Sequence, residues 1–275
     1  MDLLIATFDP ARPAVRPALL RALGAVLGGM AAALTLAAGL ERMGGLGAEM
    51  GRALAGAAVH GGFVALGWLV ALEGRPGWGG PALRIGVVAL GAFLLARVSP
   101  WGALALWAVP VALLVESARR PELARIGLGW PRRGRAVLLG AVAGAFLGTH
   151  LLLSATRTLG YPVGIVSVPA YVALVSYDAG ANALSAEWLF RGALFSHWWR
   201  VWGFWAAVTL STGMSLVRYL LDPSLPRTLE VAAGAIFYLA LLGVASCVLR
   251  AWSGSLLPGY VATVAFFAAY RALLV

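Results

Sequence analysis

The chain has 275 residues, 61% hydrophobic and only 12% charged, with a mean hydropathy of +0.87. A soluble domain carries about 25% charged residues, so this composition excludes a water-soluble globular protein. The net charge of +10 comes from 21 basic residues, all Arg, scattered among loops rather than gathered on one surface, which argues against a nucleic-acid partner.

A membrane-crossing helix takes about 20 apolar residues. Runs of that kind predict spans at 18–40, 53–72, 81–97, 100–116, 135–156, 168–197, 202–221, 229–250 and 255–274. The fold class is therefore an all-α polytopic membrane protein with eight or nine transmembrane helices. We divide it into N-terminal transmembrane helices over 1–120 and a helical bundle over 121–275. The start at Met1-Asp2 is too acidic for a signal peptide, so the first apolar run is read as a retained helix. Gly24, Gly28 and Gly29 near its start suit close helix packing. Segments 81–97 and 100–116 are short, and are taken as two spans because that satisfies the charge bias of the loops. With the N-terminus inside, thirteen Arg fall on the cytoplasmic side and six on the other, with Arg191 and Arg218 at or inside the membrane. Lys-free, Ala/Gly/Arg-rich usage points to a GC-rich bacterial genome, hence a bacterial inner membrane with a cytoplasmic N-terminus. The loop from Pro121 to Arg135 reads as a topology determinant and anionic-lipid contact. Trp78, Trp101, Trp130, Trp198, Trp199, Trp202 and Trp252 near span ends read as interfacial anchors.

Ionisable groups inside a bilayer are costly and mark a bundle interior or a site. Here they are His60, His150, Asp178, Glu187, Arg191 and Arg218, with His197 at a span end and Asn182 as a polar neighbour. Glu187 and Arg191 stand four residues apart on one helix face, with the acid on the favourable side. Asp178, Asn182 and Ala186 follow at successive i+4 steps and make a polar stripe. Arg218 on the next helix needs an anionic partner, and Asp178 or Glu187 is expected to supply it. His60 and His150 have no acid nearby and are expected to bond to backbone carbonyls; His197 reads as interfacial. Cys247 is the single cysteine, which rules out an internal disulfide and any multi-cysteine metal site; no metal and no cofactor is expected.

Ala186-Glu187-Trp188-Leu189-Phe190-Arg191-Gly192 resembles the E-E-x-x-F-R-G motif of the CPBP family, the CAAX proteases and bacteriocin-processing membrane proteins. Upstream, Ile126 to Arg132 (IGLGWPR) is similar to that family's lead-in to a glycine-rich span. Downstream, Ser211 to Pro223 (STGMSLVRYLLDP) resembles its second motif, S-x-x-F-G-x-x-H-x-x-x-x-P. Ser253 to Pro258 (SGSLLP) is similar to the G-S-L-x-P turn that opens the helix of the third motif, H-x-x-x-N. The resemblance covers about 125–270 and implies a CAAX-protease-like helical bundle in the C-terminal half. In that family a glutamate activates water, and histidines with an asparagine position it and stabilise the oxyanion. Residue by residue, the first Glu falls on Ala186 and the second is kept as Glu187. Arg191 and Gly192 are kept, the second-motif His falls on Arg218, and the third-motif His and Asn fall on Thr263 and Phe267. Four chemical positions are lost while structural ones survive.

The sequence therefore reads as a pseudoprotease: a membrane subunit or scaffold binding another membrane protein or a lipid-linked ligand, with the lipid bilayer as its other partner. One alternative is an active intramembrane endopeptidase using Glu187 with His197 or His150. Glu187 and His197 are about 15 Å apart along one continuous helix, which counts against sharing a water. A second alternative is a small-solute or proton-coupled carrier using Asp178, Glu187 and Arg218, although neither an internal repeat nor a discontinuous helix pair stands out.

Overall fold

In the computed structural model, residues 17–72, 79–120, 123, 126–165, 167–220 and 229–272 are described. Among them the regular structure is helical and no β-strand forms. The helices are α1 (Pro17–Arg42), α2 (Gly45–Ala71), α3 (Gly79–Val98), α4 (Pro100–Ala118) and α5 (Arg135–Leu159), then α6 (168–202), α7 (Phe204–Leu220), α8 (Leu229–Ser253) and α9 (Leu257–Tyr270). Six are long and apolar enough to cross a membrane: α1 to α5, and α8 over Ile236–Ser253. The chain is thus a helical membrane protein.

The remaining three helices are α6, α7 and α9. α7 is described over 17 residues, up to Leu220, beyond which 221–228 lie outside the described residues. α9 has 14 residues, which at 1.5 Å per residue gives about 21 Å against a hydrocarbon core of about 30 Å. α6 is broken into short α-helical pieces by π-helical stretches. Segments 81–97 and 100–116 are separate helices that both meet the length and hydropathy requirement. Ser99 parts them: its side chain accepts from Gly102 N (3.1 Å), and Pro100 opens α4 as a 3₁₀ stretch over Pro100–Trp107. α2 begins at Gly45, well before the expected position 53. Gly44 and Gly45, at φ 72° and 48°, make the break, and Glu49 pairs with Arg52 one turn on, so the helix carries its charged residues. Gly203 (φ 83°) similarly separates α6 from α7. Arg12, Arg16, Arg75, Arg125, Arg227, Trp78 and Pro223 lie outside the described residues.

The described chain divides into two compact units, one formed by 17–120 with 172–189 and the other by 123–171 with 190–272. In the first, α1 and α2 pack antiparallel. A Cβ on Gly51 would come within 2.6 Å of Ala37 O, and one on Gly62 would overlap Met30. The close packing expected of Gly24, Gly28 and Gly29 is absent: within 4 Å of where their Cβ atoms would project, nothing is found among the described residues. Trp188 locks the far part of this unit. Its Nε1 donates to Val64 O (2.9 Å), its ring lies 5.4 Å from that of Trp68, and Gly67 leaves the room it needs.

In the second unit the helix-packing glycines are Gly140, Gly144 and Gly148, one face of α5. Cβ atoms on the first two would overlap Pro258 O and Ala262 O, and one on the third would lie 2.7 Å from Phe266 O. The paired numbers rise together, so α5 and α9 run parallel with backbones in contact, the small-residue packing that lipid favours. Phe195, Phe204, Ala207, Val208 and Cys247 form a core between α6, α7 and α8, with Trp198 and Trp199 packed on it. Those two tryptophans are partly core residues, whereas Trp101, Trp130 and Trp202 are exposed as anchors would be.

Candidate functional site

The motif-bearing stretch has an unusual backbone. Asp178–Ala183 and Glu187–Leu194 are π-helical, separated by the short α-helical piece Leu184–Ala186. Such i→i+5 turns are rare and recur at functional sites. Every residue from 178 to 193 is buried, so the polar stripe expected on one face is part of a segment enclosed all round. The expected site positions fall in both units: Asp178, Asn182, Ala186 and Glu187 in the first, Arg191, Arg218, Thr263 and Phe267 in the second.

Within the first unit, Asn182 Nδ2 donates to Asp178 Oδ1 (2.9 Å), joining two of the expected site residues. Beside them stands His60, buried on α2. Its Nδ1 lies 2.9 Å from Ser185 Oγ and its Nε2 3.0 Å from Tyr177 Oη, while Phe93 stacks on the ring at 5.9 Å and 8°. The expectation of a backbone carbonyl partner is corrected here: two hydroxyls hold the ring, because α6 brings Tyr177 and Ser185 to opposite edges of it. A void of about 10 Å³ borders His60 and Ser185, barely one water's worth.

Within the second unit, Arg191 Nη1 donates to Ser215 Oγ (2.7 Å). Its guanidinium also lies against Gly243 and Thr212: a Cβ on Gly243 would come 2.7 Å from Arg191 Nη2 and 3.0 Å from Thr212 Oγ1. Ser211 Oγ donates to Phe190 O (2.8 Å), so one face of α7 binds both motif residues. Arg218 places its guanidinium carbon 4.5 Å from the centroid of the Tyr219 ring. Thr263 and Phe267 are buried on α9, and Phe267 packs on Tyr219 with ring centroids 5.7 Å apart.

Next to that aromatic pair opens a cavity of about 390 Å³ between α5, α7, α8 and α9, within the usual 300–1,000 Å³ of ligand pockets. Tyr219 and Phe267 are in its wall, with Tyr161, Tyr238, Tyr270 and Phe266. Its polar lining includes Ser154, Thr158, Glu230 and Tyr238. Behind two of these stands His150: Tyr238 Oη lies 2.6 Å from His150 Nδ1 and 3.2 Å from Ser154 Oγ, and Ser154 Oγ is 3.3 Å from His150 Nδ1. His150, too, takes hydroxyl partners rather than the expected carbonyl. The cavity escaped sequence reasoning. A signal existed, since four of the chain's seven Tyr line it, three of them, Tyr161, Tyr219 and Tyr270, at the C-terminal ends of α5, α7 and α9. Among the described residues no group of three or more His, Cys, Asp or Glu could hold a metal ion.

Comparison with protein families, with curated proteins and with solved structures found no match.

Proposed function

We propose that this chain is a catalytically degenerate, CPBP-like protein of a bacterial inner membrane, with its N-terminus cytoplasmic and eight or nine spans. It serves as a membrane subunit or scaffold that holds a lipid-linked ligand. One observation carries the reading: the cavity of about 390 Å³ is walled by Phe267, the position where the resemblance expects the oxyanion-binding Asn, and by Tyr219, the neighbour of Arg218. A phenyl ring offers no hydrogen bond to a developing oxyanion, and Ala186 no carboxyl to move a proton. What Phe267 and Tyr219 offer in the cavity wall is largely apolar surface, suited to an isoprenyl or acyl chain. Tyr238 and Ser154 at the edge suit the polar linkage that follows it.

The test is binding of a fluorescent farnesylated peptide to the purified protein. Saturable binding is expected, weakened about tenfold in Phe267→Trp, which fills the cavity. Absence of binding in the wild type would end the reading. The subunit role is read from gentle detergent extraction, where a companion protein at fixed ratio is expected.

A second reading, a proton-coupled carrier, is favoured by the buried polar set Asp178, Asn182, Ser185, His60 and Tyr177 of the first unit. It requires proton-dependent solute uptake that Asp178→Asn abolishes.

A further inference from the structure

The loop before α5 and the turn between α8 and α9 form one bonded platform. Arg132 N donates to Ser253 O (3.0 Å), Leu256 N to Gly127 O (2.9 Å) and Ser255 Oγ to Gly129 O (2.6 Å). Beneath them Arg250 is buried, donating through Nε to Ile126 O (3.3 Å) and through Nη2 to Ser196 Oγ (3.4 Å). On the platform, Arg133 and Arg135 place their guanidinium carbons 5.1 and 5.4 Å from the ring centroid of Trp252. Arg132 runs along Gly254, whose Cβ would touch its stem at 3.6 Å.

Three guanidinium groups are thus gathered around one indole and one turn. Among the described residues no carboxylate pairs with Arg132, Arg133 or Arg135. The one described acid of this unit is Glu230, at the opposite end of α8 and twenty residues from Arg250, about 30 Å along the helix. Guanidinium groups gathered in this way repel one another, and a cluster of forked donors matches phosphate oxygens. Trp252 at the end of a spanning helix is where headgroups lie.

We infer that Arg132, Arg133 and Arg135, mounted on Trp252, form a binding site for a phosphate-bearing anion, with an acidic phospholipid headgroup as its source. The site is separate from the cavity and does not depend on the function proposed for it. Two guanidinium groups close to an acidic headgroup correspond to about a tenfold preference or more.

The experiment titrates purified, detergent-solubilised protein with dioctanoyl phosphatidylglycerol, dioctanoyl phosphatidylcholine and inorganic phosphate. Phosphatidylglycerol is expected to bind about tenfold tighter than phosphatidylcholine, and R133Q/R135Q is expected to erase the preference. Arg132→Gln, which leaves the cation–π pair intact, should lower it partway and serves as the readout if the double variant fails to fold. Inorganic phosphate binding as tightly as the acidic lipid, with the same Arg dependence, would uphold the phosphate site and make its source soluble. Equal binding of the two lipids without phosphate binding, or a preference that survives both variants, would overturn it.

Discussion

His60 and His150 are each held by a pair of hydroxyls, yet one is sealed and the other stands at an open wall. His60 has Ser185 and Tyr177 on its two nitrogens, Phe93 on its face and room for barely one water beside it. His150 shares Tyr238 and Ser154 with a cavity of about 390 Å³. In an apolar interior, residue type alone does not separate a structural polar cluster from a binding edge. The space left by neighbouring side chains does. On this account His60 ties α2 to α6, and His150 orients the hydroxyls that meet a ligand.

The contrast can be broken most severely at the packing that leaves the cavity open. Gly144→Leu would drive a side chain into Ala262 O and part α5 from α9. It is expected to cost about 3 kcal/mol or more and to abolish probe binding, read by thermal unfolding in detergent and by titration. Next in size, His60→Ala strips the hydrogen-bond partner from two hydroxyls and removes a stacked ring, about 2–4 kcal/mol. Probe binding in the folded fraction should stay unchanged; a loss there would deny that His60 is purely structural. Phe267→Ala enlarges the cavity instead of filling it. It should shift the preferred probe toward bulkier isoprenoids, with affinity for the farnesyl probe changing several-fold, as fluorescence titration would report. The smallest effect belongs to His150→Phe. Tyr238 and Ser154 still reach each other at 3.2 Å, so stability should fall by about 1 kcal/mol or less while binding weakens a few-fold.

Much of this architecture was legible because apolar runs interrupted by Gly, Pro and Arg define helices with little ambiguity. The boundaries slipped where short-range pairing overrode composition, as at Glu49 and Arg52, which keep α2 helical ahead of its apolar run. Glu187 and Arg191 drew attention as ions in an apolar context. Nothing in the residue pattern announced that their backbone is π-helical, since i→i+5 bonding leaves no periodic mark of its own over so few turns. Two glycine stripes looked alike in sequence. Among the described residues nothing lies within 4 Å of where Cβ atoms on Gly24 and Gly28 would project, while Gly140, Gly144 and Gly148 meet the backbone of α9, a distinction that lies in the partner helix. The histidine partners were misjudged for the same reason: Tyr177 and Ser185 stand more than a hundred residues from His60 and reach it only through the fold.

The most direct measurement follows one farnesylated peptide through incubation with wild-type protein and with Glu187→Gln, quantifying bound and hydrolysed peptide by mass spectrometry. The account predicts that both proteins retain the peptide intact and to the same extent. A cleavage product formed by the wild type and lost in Glu187→Gln would contradict it.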